Sequence, residues 1–350
     1  MKKFKRFFYL LITLSIIGGV VAFRYYDVIM GSGTFFDSRL KTIYVPTNTT
    51  FDELVEILVE DSIIQSESDF RQVADWKRFR TPKPGKYVFD NGKSLNKIIN
   101  KLRSGDQTPV KLTFNGARSP QDIAGTIASQ IEADSVSILQ AILSRENAQK
   151  YGFNKESFRA MFIPNTYEIW WNTDADAFVD RMAQEFKKFW TEERVAKASA
   201  KGLSQSETVI LASIVKAETA KRDEAPVVAG LYLNRLRIGM PLQADPTLIY
   251  AHQDYSIRRV LDKHKEINSP YNTYKNAGLP PGPINFPELN YVEAVLDPEE
   301  HKYLYMCAKP DFSGYHNFAR TLRQHNINAK QYQAALGKMM REQRAQERNK

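Results

Sequence analysis

With 350 residues, 43% of them hydrophobic and 25% charged, the chain has room for two domains, and its composition excludes a collagen-like, coiled-coil or wholly disordered protein. Its net charge of +9 is dispersed apart from the N-terminal flank and the stretch 338–350. That pattern reads as solvated surface or as affinity for an acidic polymer, and no nucleic-acid partner is expected. The single cysteine, Cys307, excludes an internal disulfide and reads as a small buried core residue.

Residues 1–6 carry four basic side chains and precede an uncharged run, Phe7 to Phe23. At about 1.5 Å per residue, such a run just reaches the lower limit for crossing a bilayer. Only Arg24 follows closely, so the distribution of basic residues makes 1–6 a cytoplasmic stub and puts everything after Arg24 outside. A cleaved signal peptide is the competing reading. The small residues of a cleavage site are missing around Val21-Ala22-Phe23-Arg24, and no cysteine is present there for lipidation. The expectation is an uncleaved single-pass transmembrane helix over 7–23, then a linker over 24–40 containing Gly31-Ser32-Gly33.

Three strand-then-helix units follow. Thr42 to Val45 reads as a strand, and Thr50-x-x-Glu53 is a capping box opening a helix with Leu54, Ile57 and Leu58 on one face. Lys86 to Phe89 is again strand-like, and Ser94 caps a helix carrying Leu95, Ile98, Ile99 and Leu102 that Gly105 closes. Val110 to Phe114 is a third strand, and Ser119-Pro120 starts a helix with Ile123, Ile127 and Ile131. Units of this kind predict helices on one face of a small antiparallel sheet, an α+β arrangement. The stretch 41–115 resembles a LysM-like module, a family that binds the N-acetylglucosamine units of glycans.

From about 120 to 200 the pattern is mainly helical, interrupted by Met161 to Tyr167. Ser204-x-x-Glu207 is a second capping box, and its helix runs through Leu211, Ile214 and Val215 to Glu218. At about 100° per residue, Glu218 falls within about 20° of Leu211 and about 40° of Ile214, on the apolar side, while Lys216 points away. A carboxyl group there is partly desolvated and lies near the negative end of the helix dipole. Both effects favour the protonated form that a general acid needs. An ion pair with Lys221 or Arg222 is the competing reading, and local sequence leaves both open. A second helix, from about Pro226 to Arg237, ends at Gly239.

Downstream come three segments of aromatic, amide and hydroxyl residues on chain stiffened by proline: Met240 to Thr247, Ser269 to Tyr274 and Gly278 to Ile284. Such loops shape a cleft, or serve as structural turns. The five histidines show no metal-ligand spacing, and no phosphate-binding glycine loop or serine elbow is present, so neither metal nor cofactor is expected. His316 and His325 reach either the cleft, the core or the surface.

Leu211-Ala212-Ser213-Ile214-Val215-x-x-Glu218-Thr219, Asn234-Arg235-Leu236, Gly239-Met240-x-Leu242-Gln243-x-Asp245-Pro246-Thr247, Ser269-Pro270-Tyr271-Asn272-Thr273-Tyr274 and Gly278-Leu279-Pro280-Pro281-Gly282-Pro283-Ile284 together resemble the YceG-like family of endolytic murein transglycosylases. Phe162-x-Pro164-x-Thr166-Tyr167, His316-x-Phe318 and His325-Asn326 extend the resemblance across residues 160–326. Asn165 stands where Asp is frequent in the family, and Lys216-Ala217 where Glu-Lys is frequent.

The resemblance implies an α+β chain: transmembrane helix, LysM-like module at 41–115, mixed α+β catalytic domain at 116–335 and a fraying charged tail at 336–350. It implies cleavage of the β-1,4 bond between N-acetylmuramic acid and N-acetylglucosamine within peptidoglycan strands, leaving 1,6-anhydro ends. The enzyme would sit in the cytoplasmic membrane, face outward and work beside peptidoglycan synthases. Glu218 is carried over as the catalytic residue, with Gln243, Asp245, Thr247, Tyr271, Asn272 and Tyr274 as candidates for holding sugar. Asp245 alternatively stabilises transition-state charge or caps a helix or turn. Two rival readings remain: a muramidase with Asp223, Glu224 or Asp245 as second carboxylate, and a non-catalytic wall-binding scaffold.

Overall fold

The structure, a computed structural model, describes every residue except Met1, Ser32, Phe35, Asp37, Asn349 and Lys350, and leaves undescribed the side chains of Lys2, Lys3, Phe4, Arg6, Ala345 and Arg348. The serine of the expected Gly-Ser-Gly linker and the last two residues of the tail therefore lie outside the described residues. The chain forms a mixed α+β architecture in two compact units. One comprises Met1–Leu112, Ser129–Ala133 and Tyr167–Asp174; the other comprises Thr113–Ala128, Asp134–Thr166 and Ala175–Lys350.

The first unit begins with α1 (Lys2–Met30), whose segment Phe7–Met30 is long and apolar enough to cross a membrane, with a mean hydropathy of 2.0. The large side chains from Phe7 to Phe23 are exposed, as a lipid-facing helix requires. The sequence reading ends the helix too early. Beyond Arg24, which reaches Asp69 at 3.6 Å, the Tyr25 ring stacks on Trp76 at 4.6 Å and Val28 enters the core. Nor is the rest of 24–40 a free linker, because Thr34 is fully buried and its N–H donates to the Lys93 carbonyl at 3.1 Å. A charged residue after an apolar run looks like a boundary in sequence, whereas here the helix continues because its side chains find partners.

Next come β1 (Leu40–Val45), α2 (Phe51–Glu60), α3 (Glu67–Trp76), β2 (Gly85–Asp90) and α4 (Leu95–Ser104). The strands pair antiparallel from Leu40 opposite Asp90 to Val45 opposite Gly85. The capping box of α2 forms: the Glu53 N–H donates to Thr50 Oγ1 at 3.3 Å, and the Thr50 N–H donates to Glu53 Oε2 at 2.7 Å. Ser94 sits at the N-cap of α4 without a side-chain cap bond, and Gly105 ends that helix with φ 74°. α3 falls in a stretch that the strand-and-helix reading passed over. Its cap, Ser66, accepts from the Asp69 N–H at 3.2 Å, and its Phe70, Val73 and Ala74 are buried. Leu54, Leu58, Phe70, Phe79 and Tyr87 are all within 1% of complete burial. Each such side chain contributes about 1.5–3 kcal/mol of hydrophobic stabilisation.

The expected sheet is also corrected. β3 (Val110–Phe114) does not join β1 and β2 but pairs with β4 (Asn165–Ile169), so both sheets are two-stranded. The strand pattern of 110–114 specifies which face is apolar and not which strand lies beside it.

The second unit contains α5 (Pro120–Ala128), α6 (Ser135–Leu143), α7 (Arg145–Lys150), α8 (Ala175–Phe189), α9 (Glu192–Ser199), α10 (Gln205–Glu218) and α11 (Ala225–Arg237). After these come α12 (Asp245–His252), α13 (Asp262–Lys265), α14 (Leu289–Leu296), β5 (Tyr305–Ala308), β6 (His316–Ala319) and α15 (Leu322–Arg348). α5 ends before Ile131, one turn earlier than its apolar spacing suggests. α10 is the central helix and packs on α11, α12 and α14. β5 and β6 form an antiparallel hairpin against α15. The region read as a fraying tail is instead helical as far as Arg348. Lys338 and Glu342, one turn apart on it, lie 4.0 Å from each other.

Candidate active site

Glu218 is the last residue of α10, and the sequence explains why that helix is so firmly held. The Glu207 N–H donates to Ser204 Oγ at 3.2 Å and the Ser204 N–H donates to Glu207 Oε2 at 2.8 Å, which completes the predicted capping box. The predicted apolar stripe, however, is not a stripe. Thr208 to Val215 are buried without interruption, so neighbours surround the helix on all sides. Lys216, expected to point into solvent, is pinned instead: its Nζ donates to the Phe286 carbonyl at 2.7 Å and meets Glu288 at 2.8 Å. The Ile284 N–H donates to Ser213 Oγ at 3.0 Å, and Asn285 Nδ2 donates to the Ser213 carbonyl at 2.7 Å. The proline-rich segment is thus laid along α10. Gly282 is required there, since a Cβ would come within 2.1 Å of the Glu156 carbonyl oxygen.

At the C-terminal end of α10, Glu218 is half-buried on the wall of a cavity of about 400 Å³. The cavity is also lined by Tyr232, Arg235, Gln243, Asp245 and Tyr274. The Tyr232 hydroxyl donates to Glu218 Oε1 at 2.9 Å, leaving Oε2 as the oxygen free to carry an acidic proton. Burial pushes the Glu218 carboxyl up to about 7; the Tyr232 hydrogen bond and the Arg235 charge oppose that rise, and the Asp245 charge adds to it. Burial likewise holds Tyr232 well above the usual phenol range, so it remains a donor. The pairing of Glu218 with Lys221 or Arg222 is not the arrangement found: Lys221 lies over the Tyr315 ring at 4.8 Å.

Two loops converge on Arg235. Its Nε donates to the Leu304 carbonyl at 2.7 Å, and its Nη1 donates to the carbonyls of Leu242 at 2.6 Å and Pro241 at 3.3 Å. Gly239, with φ 66°, turns the chain out of α11 and back towards that guanidinium. The preceding residue, Asn234, also anchors α11, donating to the His301 and Tyr303 carbonyls at 2.9 and 3.1 Å. Gln243 is exposed in the cavity with φ 48°, a left-handed conformation that costs a non-glycine residue energy. Asp245 opens α12, and the Tyr274 hydroxyl donates to its Oδ1 at 2.5 Å.

Of the residues expected to hold sugar, the structure brings Gln243, Asp245 and Tyr274 to the Glu218 cavity. Thr247, Asn272 and Tyr271 do not line that cavity. Thr247 is fully buried, bonded to Thr273 Oγ1 at 2.8 Å and donating to the Ala244 carbonyl at 2.7 Å. Asn272 is fully buried too, and its amide donates to the carbonyls of Lys265 and Ile267 at 2.8 and 2.9 Å. Tyr271 accepts from Arg159 at 3.1 Å and packs on Tyr250, away from the cavity wall. Their motif aligns the loops rather than lining this cavity, a distinction that hydroxyl and amide residue types do not reveal. Cys307, read as core, is half-buried in the cavity wall on β5.

Sequence reasoning missed Tyr232, Tyr305 and the role of Arg235. The available signal was the fourteen-residue separation of Glu218 and Tyr232 across two helices joined by a short turn. Asp223 and Glu224, considered as second carboxylates, do not line the cavity. Glu224 is buried against Thr219 at 2.9 Å and His316 at 2.8 Å, and Asp223 accepts from the Tyr315 hydroxyl at 2.9 Å. A larger groove of about 1580 Å³ flanks the other end of α10, bordered by Ser204, Glu207 and Pro280 and by the charged side chains of Lys201, Arg237, Asp297, Glu299 and Glu300. Among the described residues no three His, Cys, Asp or Glu side chains converge as a metal would require.

The model of the YceG-like family matches residues 43–331. The chain is 29% identical over 311 residues to the endolytic murein transglycosylase of Bacillus subtilis, covering 83% of this chain and 84% of that protein. It is 25% identical over 345 residues to the endolytic murein transglycosylase of Streptococcus pneumoniae, covering 88% of this chain but only 61% of the longer relative. The crystal structure of a yceG-like protein from Listeria monocytogenes superposes with a TM-score of 0.53 at 25% identity, covering 82% of this chain and 98% of that one.

Proposed function

The chain belongs to the YceG-like family, and on that premise we propose that it is an endolytic murein transglycosylase, a lyase acting on peptidoglycan, with Glu218 as acid and then base. The observation that carries this reading is the state of Glu218, a carboxyl raised to about 7 by burial on a cavity wall, with Oε1 held by Tyr232. Such a group is about half protonated near neutrality and remains a competent base after it ionises.

In the proposed reaction the Oε2 proton passes to the oxygen between N-acetylmuramic acid and N-acetylglucosamine as its bond to C1 breaks. Arg235 and the Tyr232 hydroxyl offset the negative charge left on Glu218. The C6 hydroxyl of the muramic residue then closes onto C1, and Glu218 takes its proton, which restores the acid and leaves a 1,6-anhydro end. The intramolecular nucleophile replaces both the positioned water and the second carboxylate of an ordinary glycosidase. Asp245, tied to Tyr274, supports the positive charge developing at C1, and Gln243 holds sugar beside it. Mass spectrometry of digested sacculi tests the reading: anhydro-ended fragments are expected, and fragments one water heavier would assign a muramidase using Asp245 instead.

The wider biology follows from the same reading. Basic residues before Phe7 keep the N-terminus cytoplasmic, the single-pass anchor tethers the enzyme to the outer face of the cytoplasmic membrane, and nascent strands made by peptidoglycan synthases are its substrate for termination or trimming. The LysM-like stretch 41–115 adds glycan contact; retention of the Glu218→Gln chain on sacculi, weakened by substitutions in that stretch, is the expected result.

Tyr232→Phe removes the hydroxyl that lowers the Glu218 pKa. The alkaline limb of the pH–rate profile should therefore move to higher pH, with a rate loss of about tenfold from one hydrogen bond to an ionised group. A profile identical to that of the wild type would separate Tyr232 from the acid.

A further inference from the structure

His325 lines the same cavity from the first turn of α15, and neither the ion pairs nor the hydrogen bonds around Glu218 use its side chain. Its backbone N–H donates to the Thr321 carbonyl at 3.0 Å, and its ring stacks on Tyr305 with centroids 5.5 Å apart and planes 29° from parallel. The Arg235 guanidinium lies 5.6 Å from the centroid of that same tyrosine. Nδ1 of His325 is buried and has no hydrogen-bond partner among the described residues.

That last fact selects one chemical form of the imidazole. A proton on Nδ1 would put a buried N–H where no acceptor meets it, a substantial desolvation penalty. An imidazolium would carry that same unpaired N–H and add a second cation near Arg235. Burial and the Arg235 charge both depress the His325 pKa, in keeping with a neutral ring. The remaining form is neutral, with an unshared Nδ1 lone pair inside and an N–H on Nε2, the nitrogen on the other side of the ring. With its proton on Nε2 and its Nδ1 enclosed, the ring is a donor and not a second acid or base.

We propose that His325 is a substrate-binding residue, a neutral imidazole whose Nε2–H donates to an uncharged oxygen of the sugar chain, a hydroxyl or an acetamido carbonyl, bound beside Glu218. The proposal rests on reading this cavity as the glycan site. A neutral donor suits the position, since an imidazolium there would lower the Glu218 pKa and leave less of that carboxyl protonated.

The test uses the full chain in detergent on a Glu218→Gln background, where binding is measured without turnover, and purified glycan strands as the probe. The amide nitrogen of glutamine falls near Nε2 of histidine, and that of asparagine near Nδ1. His325→Gln should therefore keep strand affinity within about threefold, while His325→Asn and His325→Ala lose about tenfold or more, with thermal midpoints alike across all three. Nitrogen-15 shifts of the His325 ring should report Nε2–H near neutral pH. Equal affinity in all variants, retention by asparagine rather than glutamine, losses that track lowered thermal midpoints, or an Nδ1–H or imidazolium signal would overturn the proposal. Strands that bind this way, while the chain with Glu218 intact never releases anhydro ends, would leave the His325 assignment standing and remove the lytic reaction. Strands that do not bind at all would remove both.

Discussion

Glu218→Gln should produce a folded chain that releases no anhydro-ended fragments above background, because in the proposed reaction one residue supplies both proton transfers. Each transfer accounts for about 10²–10⁴-fold in rate, so turnover falls below what product analysis of whole sacculi detects. In the wild type, activity should fall as pH rises through about 7, where the acid loses its proton. The same shift makes a separate prediction about stability. The folded-state pKa is raised from 4.5 to about 7, so the protonated carboxyl favours the fold below 4.5 and that contribution is lost as pH rises through 7. Glutamine is neutral throughout and still offers an oxygen to Tyr232. The variant should therefore gain on the wild type across this window, reaching about 3 kcal/mol above it. Urea unfolding of both chains from below 4.5 to above 7 measures the difference. A gap that stays constant with pH would mean that Glu218 is not held uncharged by burial.

Arg235→Met should damage stability and chemistry together. The side chain is 7% exposed and its donors hold the carbonyls of Leu304, Leu242 and Pro241. Methionine fills part of the volume and leaves those acceptors unpaired, at a cost of about 1–3 kcal/mol for each that water does not reach. The expected total is on the order of 3–5 kcal/mol, in the range that marks a broken buried network. Loss of the cation also removes an influence that lowers the Glu218 pKa, so any residual activity should persist to higher pH. Arg235→Lys keeps a charge but not the fork that spans two loops, and should recover the pH profile better than the stability. A lysine variant as stable as the wild type would show that the fork does not organise the site.

Several features needed nothing beyond local rules. The capping boxes at Thr50 and Ser204 form as the spacing of Ser or Thr and Glu dictates, since both partners lie within one turn. Gly105 and Gly239 end their helices because their left-handed backbone is inexpensive only without a Cβ. The apolar run after the basic N-terminus, the strands of the first unit and the position of Glu218 at the end of an apolar helix were likewise legible. Burial of the carboxyl could be expected from that helix face alone.

Pairings at long range were decided elsewhere. β3 lies beside β4, some fifty residues later, because a five-residue strand carries no address for its neighbour. α10 is enclosed by α11, α14 and the proline-rich segment, so its amphipathic reading of Lys216 failed: a lysine can end in a carbonyl and a glutamate supplied by residues 286 and 288. The polar motif at 269–274 divided in the same way. Thr273 and Asn272 face inward and satisfy backbone groups, while Tyr274 two residues on reaches Asp245. Residue type sets what a side chain is able to bond, and only the packed chain decides which partner is within reach. Sequence thus identified a helix-end carboxyl disposed to keep its proton, and tertiary structure supplied the Tyr232 hydroxyl, the Arg235 charge and the enclosing wall that together set its pKa near 7, as the proposed acid-then-base role requires.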